Sequence, residues 1–320
     1  LSYKFYPSVM NSKARLTYTI VDKILNQDAK DLQNEYSSIL SNLENLKKIY
    51  QIMLKEREKR GALEFDSTET AIVFNEQGKI DFIKPIFRNE AHRIIEECML
   101  TANVCAANFL LKNNIDGLFR NHEHPSEEKL ENLKSFLGEF GLSLQGGNKP
   151  TPKDYKNLIG KISNRPEFHL LQTVLLRSMQ QAVYSESNLG HFGLAYEAYT
   201  HFTSPIRRYS DLIVHRAIKA KLEKKPFKLK NINKGAEHCS NTEGRADEAT
   251  RDVESWLKCY FMQDKVGQIF EGTVAGVTGF GLFVELDEVY IEGLLHVTEL
   301  GNDYFIYDKS KHAMIGERTK

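Results

Sequence analysis

Apolar side chains recur at helical spacing in the first part of the chain. Between residues 32 and 53 they lie alternately four and three positions apart, which predicts one long helix with a heptad-like face. This helix is expected to end at Gly61, because glycine readily adopts the left-handed backbone that closes a helix. A short helix is predicted before it, over residues 14–25. The heptad-like face has two open uses, a dimeric coiled coil or packing against its own domain, and we favour the second.

The middle of the chain alternates between strand and helix patterns. Apolar and polar positions predict strands over 71–74 and 80–87, joined by a turn at 75–78. Helical spacing predicts further helices over 88–112, 125–140, 155–162, 170–184 and 233–259. The buried stripe of the first of these is expected to be Ile95, Cys98, Ala102, Cys105 and Phe109. The loop at 146–150 is interpreted as a connection.

One more helix is predicted to begin at Ser204-Pro205, which has the form of an N-cap followed by a first-turn proline. Its expected buried face is Ile206, Tyr209, Ile213, Ala217 and Ala220. The hydroxyl and guanidinium groups at its start are those of Thr203, Ser204, Arg207 and Arg208. Free amides and the helix dipole favour an anion there. Two interpretations remain open: a phosphate site, or an ordinary capped helix whose arginines lie in water or pair with Asp211.

Beyond Gly267 the pattern is that of a β-domain. Strands are predicted over 268–277, 282–286 and 293–296, with a turn at 278–281. A small barrel of this type needs five strands. We expect the chain to end before the last two, so that the barrel is truncated.

Composition sets the class of protein. A chain of 320 residues suits one large and one small domain, and 41% hydrophobic residues are enough for a core. We see no apolar run of membrane length and no secretory signal. The first residue is not Met, which suggests a piece of a longer protein. The four cysteines lack paired short spacing, so neither a zinc site nor a disulfide framework is indicated, and a reducing cytoplasm fits best.

Charge is balanced overall but not locally. The chain has 43 basic and 43 acidic residues, whereas a nucleic-acid-binding protein is usually basic. From His201 to Lys230, however, nine lysines and arginines face only Asp211 and Glu223. Such an excess suits phosphate contact. For Lys224 to Lys230 we favour the simpler interpretation of a solvated helix end.

Several stretches together resemble one known family. They are Tyr3-Lys4-Phe5-Tyr6-Pro7, Ala14-Arg15-Leu16-Thr17-Tyr18, His191-Phe192-Gly193-Leu194-Ala195, the whole of 201–216, 247–253 and Trp256-Leu257. This set is similar to the RNase II (RNB-domain) family of exoribonucleases, and most of all to its ribonuclease R branch. The run Gly279-Phe280-Gly281-Leu282-Phe283-Val284 with the later Glu292-Gly293-Leu294-Leu295-His296 resembles the S-one type of RNA-binding OB fold.

The resemblance implies an α+β chain. Residues 1–262 would be the C-terminal part of an RNB catalytic domain, with long helices around a sheet, and residues 267–320 an incomplete OB-fold barrel. The implied activity is processive 3′→5′ hydrolysis of RNA to nucleoside 5′-monophosphates, assisted by Mg²⁺. The family's metal ligands are clustered aspartates, which we expect upstream of residue 1, so that no metal ligand is assigned in this chain. The chain alone is therefore expected to be inactive.

The resemblance also assigns residues. Arg207 matches the catalytic arginine that faces the scissile phosphate. Tyr18 matches a tyrosine near the terminal nucleotides, Phe65 an aromatic that stacks on the last base, and Glu96 a carboxylate that meets a ribose hydroxyl. From periodicity alone, Tyr18 and Phe65 would be core aromatics. Glu96 would instead be paired locally with His92 or Arg93.

The remaining assignments concern the rest of the RNA path. Arg208 is placed on the RNA-binding wall, where it is expected to act with Tyr209 and His215 mainly as support. Phe280, Phe283 and His296 match positions on which bases stack in the OB fold, although Phe283 would be core in a bare barrel.

The implied partner is single-stranded RNA with a 3′ end, with the ribosome or other RNA-decay proteins as further candidates. A cytoplasmic monomer without a membrane contact is expected. The alternative is a non-catalytic RNA-binding or adaptor protein that retains the fold. A third option is a scaffold that binds protein partners through its heptad-like helix.

Overall fold

The computed structural model describes residues 2–26, 29–65, 69–287, 289–308 and 313–318. Within them the α-helices are α1 (Tyr18–Asn26), α2 (Lys30–Glu35), α3 (Ser37–Arg60), α4 (Glu90–Asn113), α5 (Glu127–Glu139), α6 (Pro152–Ile162), α7 (Phe168–Ser178), α8 (Tyr209–Leu222) and α9 (Ile232–Met262). The strands are β1 (Glu69–Phe74), β2 (Ile80–Ile86), β3 (Phe119–Asn121), β4 (Val183–Ser185), β5 (Gly272–Thr278), β6 (Gly281–Leu286), β7 (Ile291–His296), β8 (Phe305–Asp308) and β9 (Ala313–Gly316). The mixed helix and strand content confirms the predicted α+β class.

All the ladders are antiparallel. β1 pairs with β2, β3 with β4, β5 with β6 and β7 in one three-stranded sheet, and β8 with β9. The chain forms two compact units. The first unit takes the residues up to 63, then 88–123 and 181–244, and the second takes 64–87, 124–180 and the residues from 245 onward.

Helix α4 lies at the centre of the first unit. Asn89 caps its start by accepting a hydrogen bond from the His92 amide, and Asn114 ends it in the left-handed conformation at φ 51°. Its buried C-terminal half packs on α8 and β3, in a cluster of Ala106, Ala107, Leu110, Phe119, Val214, Ala217 and Ile218. By length and mean hydropathy α4 could also cross a membrane, contrary to our expectation, although 44% of its most apolar stretch is buried in this fold.

The predicted stripe of α4 is only partly right. Cys105 is buried, but Ile95 is exposed and Cys98 is half-buried. The buried positions include Glu97 and Asn103, whose hydrogen-bond partners are far away in the sequence. The buried face of α4 therefore differs from the stripe that apolar spacing predicts, and it includes polar side chains with distant partners.

The long first helix is interrupted. Tyr36 separates α2 from α3, so the single helix predicted over this stretch is wrong. Gly61 ends α3 at φ 80°, as predicted. The heptad-like face packs within the first unit, where Thr101 of α4 donates to the Met53 sulfur at 3.6 Å. This arrangement supports packing against the same domain.

In the second unit, α5, α6 and α7 pack around Phe136, Tyr155 and Leu171, which are all buried. A capping box between Thr151 and Asp154 starts α6. The helix predicted over 170–184 is too long, because α7 ends at Ser178. Tyr184 instead lies in β4, which belongs to the first unit.

The OB-type segment carries more strands than predicted. β5, β6 and β7 and the turn between β5 and β6 agree with expectation, but β8 and β9 also form, so the prediction that the last two strands are lacking is wrong. Gly279 in the first turn lies next to the Tyr307 ring of β8. A side chain at Gly281 would collide with the Leu295 carbonyl, which explains glycine at the β6–β7 edge.

Candidate functional site

The stretch before α8 is a turn and not the start of the helix. Pro205, Ile206 and Arg207 form the turn, and α8 begins only at Tyr209 with Arg208 as its N-cap. The amides of Arg207 and Arg208 donate to the Ser204 carbonyl at 3.3 and 3.0 Å. The predicted Ser-Pro helix start is therefore wrong by one turn.

Asp211 explains this geometry. Its carboxylate is fully buried and accepts hydrogen bonds from the Ser204 amide at 2.8 Å, the Ser210 hydroxyl at 3.1 Å and the Arg208 guanidinium. Arg208 donates through Nε at 2.9 Å and through its terminal nitrogen at 2.8 Å, a two-point contact. The bond from the Ser204 amide to Asp211 ties the turn to the first turn of α8.

The two adjacent arginines therefore have different surroundings. Arg208 forms an ion pair with Asp211, as the simpler of the two sequence interpretations allowed. Arg207 is exposed and has no ion pair within the part of the chain that the structure describes. Ile206 and Tyr209 are 102% and 58% exposed, so neither belongs to the predicted buried face, and Tyr209 is not a packing support. Ile213 and Ala217 are buried as predicted, whereas Ala220 is half-buried.

Behind the turn lies a buried network of rings and charges. The Tyr184 hydroxyl is 2.8 Å from Nδ1 of His201 and donates to Glu243 at 3.4 Å. Arg120 pairs with Glu243 at 2.6 Å and stacks over the Tyr184 ring at 4.6 Å. Burial, aided by the positive charges of Arg208 and Arg120, lowers the pKa of His201 to about 3, so this ring is neutral near pH 7.

A second half-buried histidine, His191, belongs to the loop that leads into the turn. His191 and Tyr196 close the loop through hydrogen bonds between their backbones at 2.8 and 3.2 Å. Burial, then His122 and Arg120, lower the pKa of His191 to about 3. The positive charges next to these two rings therefore belong to Arg120 and Arg208, and both rings are neutral near pH 7.

Asn103 ties this loop to α4. Its side-chain amide donates to the Tyr199 hydroxyl at 2.9 Å, and its carbonyl oxygen accepts from the Phe202 amide at 2.9 Å. The Phe202 ring stacks on His215, whose Nε2 is 2.8 Å from the Phe202 carbonyl oxygen. The predicted supporting role of His215 is in agreement with these contacts.

Tyr18 lies near the other end of α4. It is 44% exposed, so the core interpretation is wrong, and its ring stacks on His92 at a centroid distance of 3.9 Å. Asn89 contacts both residues, through the Tyr18 carbonyl at 3.4 Å and Nδ1 of His92 at 2.6 Å. Tyr18 lines an apolar groove of about 610 Å³ between α1, α3 and α4, with Arg15 at the same groove. Neither Glu96 nor Arg207 lines it.

Glu96 pairs across helices, so the predicted local pairing with His92 or Arg93 is wrong. One terminal nitrogen of Arg57 donates to Glu96 at 3.0 Å and to the buried Glu97 at 2.7 Å. Burial acts to lower the pKa of Arg57, but its bonds to Glu97 and Glu96 outweigh burial and raise it. The Glu96 side chain remains 34% exposed. Its carboxylate is thus oriented by Arg57 and still open to a ligand.

Helix α4 brings these contacts onto one face. His92, Glu96 and Asn103 are separated by four and seven residues, and side chains at these spacings share a helix face. The face thereby connects Tyr18 with the loop that precedes the Arg207 turn. Phe65 belongs to the second unit, where it is half-buried in a segment without regular secondary structure.

The OB-type strands present an aromatic face. Phe280 is 51% exposed and meets the half-buried Phe283 edge to face at 6.0 Å. In the ladder between β6 and β7, Phe283 is opposite Leu294 and Gly281 is opposite His296. Residues at these positions share one face of the sheet. Phe283 and His296 therefore lie on the same side, and the Val297 amide binds the Phe280 carbonyl at 2.9 Å.

Metal ligands are not gathered in the described part of the chain. No group of three histidine, cysteine or acidic side chains there could hold a metal ion. The residues present do not fit a magnesium site, and the assignment of its ligands to upstream residues stays a prediction.

Sequence reasoning missed the residues that orient the site. Asn103 and Arg57 act through partners 39 to 99 positions away, which no local pattern reveals. Asp211 was considered only as a partner of the arginines. A polar residue inside an apolar stripe, as at Asn103, is the one signal that could have identified a buried contact.

Comparison with known proteins identifies the family. The family model described as RNB domain matches residues 1–224, and that of the S1 RNA binding domain matches residues 263–320. Ribonuclease R of Vibrio cholerae is 49% identical over 98% of this chain and 40% of its own length. Ribonuclease R of Escherichia coli is 48% identical over 99% of this chain and 40% of its own length. The chain thus spans about two fifths of these curated relatives.

A solved structure shares the architecture. Mycoplasma genitalium RNase R in complex with ribose methylated single-stranded RNA superposes with a TM-score of 0.83 at 27% identity, covering 94% of this chain and 48% of that one. The chain belongs to the RNB-domain family and carries an S1 RNA binding domain after its RNB segment.

Proposed function

We propose that this chain is part of a processive 3′→5′ exoribonuclease that hydrolyses RNA to nucleoside 5′-monophosphates. Family membership and nearly 50% identity to two proteins named Ribonuclease R support this activity. The chain spans about 40% of their length, so the proposal concerns the longer protein.

The Arg207 turn carries the proposal. Its backbone is fixed by hydrogen bonds to Ser204 and, through Ser204, to the buried Asp211. Arg208 satisfies Asp211, which leaves the Arg207 guanidinium exposed and uncommitted within the described residues. A permanently charged fork on a rigid turn suits the growing negative charge on a phosphate that is being cleaved. We assign that role to Arg207.

The remaining site residues would hold the RNA end. Tyr18 is exposed on its His92 support and would contact the terminal nucleotides. Glu96, oriented by Arg57, would accept a hydrogen bond from a ribose 2′-hydroxyl, the group that distinguishes RNA from DNA. Phe65 would stack on the last base, and Phe280, Phe283 and His296 would stack on bases upstream.

The finer features are also proposals. We assign Mg²⁺ as the cofactor, with ligands outside this chain, and RNA with a free 3′ end as the substrate. The solved relative bound to single-stranded RNA supports this substrate. We further propose a cytoplasmic monomer, with the ribosome or other RNA-decay proteins as partners.

Arg207→Ala in the full-length protein tests the assignment. Loss of one group that stabilises a transition state lowers kcat by about 10²–10³-fold, and we expect RNA affinity to change far less. The measurements are single-turnover cleavage of a 3′-labelled RNA in magnesium, and filter binding of the same RNA without cleavage. Arg177→Ala removes an exposed arginine of α7 and is the matched control.

An unchanged cleavage rate in Arg207→Ala would contradict the catalytic role. If the unaltered full-length protein binds RNA but cleaves none, the non-catalytic RNA-binding alternative is correct. DNA degraded as fast as RNA would argue against sugar recognition by Glu96.

A further inference from the structure

Basic side chains are concentrated where α8 ends and the chain crosses to α9. We call this surface the lysine ridge, and it consists of Arg216, Lys219, Lys221, Lys224, Lys225, Lys228, Lys230 and Lys234. All of these residues are exposed. Glu223 is the one acidic residue between Arg216 and Lys234, in a chain with no net charge. The ridge is therefore a local positive field and not a reflection of overall composition.

The ridge is anchored to the first unit. Phe227 and Leu229 are half-buried against the core clusters of that unit, and the intervening Lys228 and the following Lys230 are exposed. The Leu229 amide donates to Asp116 at 3.4 Å. Alternate residues are thus held inward and outward, so the lysines project from a supported segment.

The end of α8 is a fixed backbone turn that holds two of these lysines. Lys224 has φ 56°, the left-handed conformation that favours glycine. The amides of Lys224 and Lys225 bind the carbonyls of Lys221 and Ala220 at 3.1 and 2.8 Å, which closes the helix.

Most of the charge on the ridge is unpaired. Glu223 contacts Lys225 at 2.8 Å and Lys219 at 3.8 Å. The other six cations have no ion pair among the residues described. Asp116 is the one further carboxylate found in contact with the ridge segment, and it binds a backbone amide.

We propose that the lysine ridge, whose residues 224–230 we first interpreted as a solvated helix end, is a sequence-independent binding surface for the phosphate backbone of RNA, separate from the residues assigned to the 3′ end. This inference rests on the proposed RNA substrate. The ridge would hold an RNA segment by charge alone, because it has no exposed aromatic side chain on which a base could stack. Such a surface raises the affinity for long RNA while leaving cleavage at the 3′ end to other groups.

The test replaces Lys224, Lys228 and Lys230 by glutamine and measures the affinity of the full-length protein for a 30-nucleotide RNA across salt concentrations. The matched control replaces Lys149, Lys153 and Lys161, three exposed lysines of the second unit, and changes the net charge equally. Each phosphate contact contributes about 0.7 to the slope of log affinity against log salt. The slope for the ridge variant should therefore be smaller in magnitude by about 2. Raising the salt from 50 to 200 mM should then reduce the RNA affinity of the variant by a factor about 20-fold smaller than the factor for the wild type.

Each outcome decides a separate point. A wild type that fails to bind RNA contradicts the proposed function and, with it, the ridge. A wild type that binds while the ridge variant keeps the full slope overturns the ridge alone, as would an equal loss in the control. Polyglutamate is tested as a competitor at a carboxylate concentration equal to that of the RNA phosphates. If it displaces the RNA, the ridge is a binding site for acidic protein segments, and the assignment to RNA is overturned.

Discussion

The Arg207 turn and the aromatic face of the OB-type strands present ligand-binding groups in opposite ways. The turn places an exposed guanidinium above a fully buried carboxylate that accepts several hydrogen bonds. The aromatic face places Phe283 and His296 on paired strands, where sheet register sets the side on which they lie, and Phe280 in the turn before β6. The Arg207 turn fixes a charge in one place, but its stability depends on buried ionised groups. The aromatic face should tolerate substitutions with little loss of stability, because it needs no buried charge.

The largest expected effect is a loss of stability when the buried carboxylate of Asp211 is removed. Asp211→Ala would leave the Arg208 guanidinium and the Ser204 amide without their acceptor. Breaking a buried ion pair by removing one partner costs about 3–5 kcal/mol in the free energy of unfolding. Urea unfolding followed by circular dichroism measures this loss.

Asp252→Ala on the exposed face of α9 is the control, and should change stability by less than about 0.5 kcal/mol. A similarly small loss for Asp211→Ala would mean that the turn does not depend on its carboxylate.

An intermediate effect concerns pH. Burial lowers the pKa of His201 to about 3, below the ordinary value of 6.5. Between these values the unfolded chain binds a proton that the folded chain does not, so stability falls as pH falls from 6.5 towards 3. At pH 5 the loss due to His201 is on the order of 2 kcal/mol. Unfolding midpoints between pH 7 and pH 5 would show it.

His201→Gln should flatten this pH dependence whatever its effect at pH 7, while His169→Gln, at an exposed position, should leave it unchanged. Equal slopes in both variants would show that His201 is not buried as a neutral ring. The OB-type aromatic face, without a buried charge, should contribute little to the slope.

The smallest expected effect concerns RNA binding by the exposed aromatic face of the OB-type strands. Phe280→Ala should weaken RNA binding by about 1–3 kcal/mol through loss of base stacking, with the unfolding midpoint nearly unchanged. Tyr304→Ala removes another exposed aromatic of the same unit as a control. If both variants bind RNA as tightly as the wild type, the aromatic face is not a stacking surface.

The features of the fold that could be predicted from the sequence are those that depend on contacts between residues close together in the chain. The end of α3 at Gly61 and the strand pair around the turn at 75–78 follow from local backbone preferences, and both were predicted. The turn before α8 was not, because it depends on the bond from the Ser204 amide to Asp211 seven residues later, which local backbone preferences do not reveal.

The candidate site shows the same division. Resemblance selected Arg207, Tyr18 and Glu96, whose ligand roles stay predictions. Their orientation depends on Asp211, His92 and Arg57, and the bond from Arg57 to Glu96 spans 39 positions. Periodicity contains no information on such pairs, so it placed Tyr18 in the core and gave Glu96 the wrong partner.

The shared face of α4 has a consequence for how this protein can vary. His92 and Asn103 are eleven residues apart, which the helical rise converts to about 16 Å. Loops elsewhere can lengthen without altering that separation. A single residue inserted between the two would turn one contact about 100° away from the other. Natural variants of this protein should therefore keep the length of α4 constant, even where its surface residues differ.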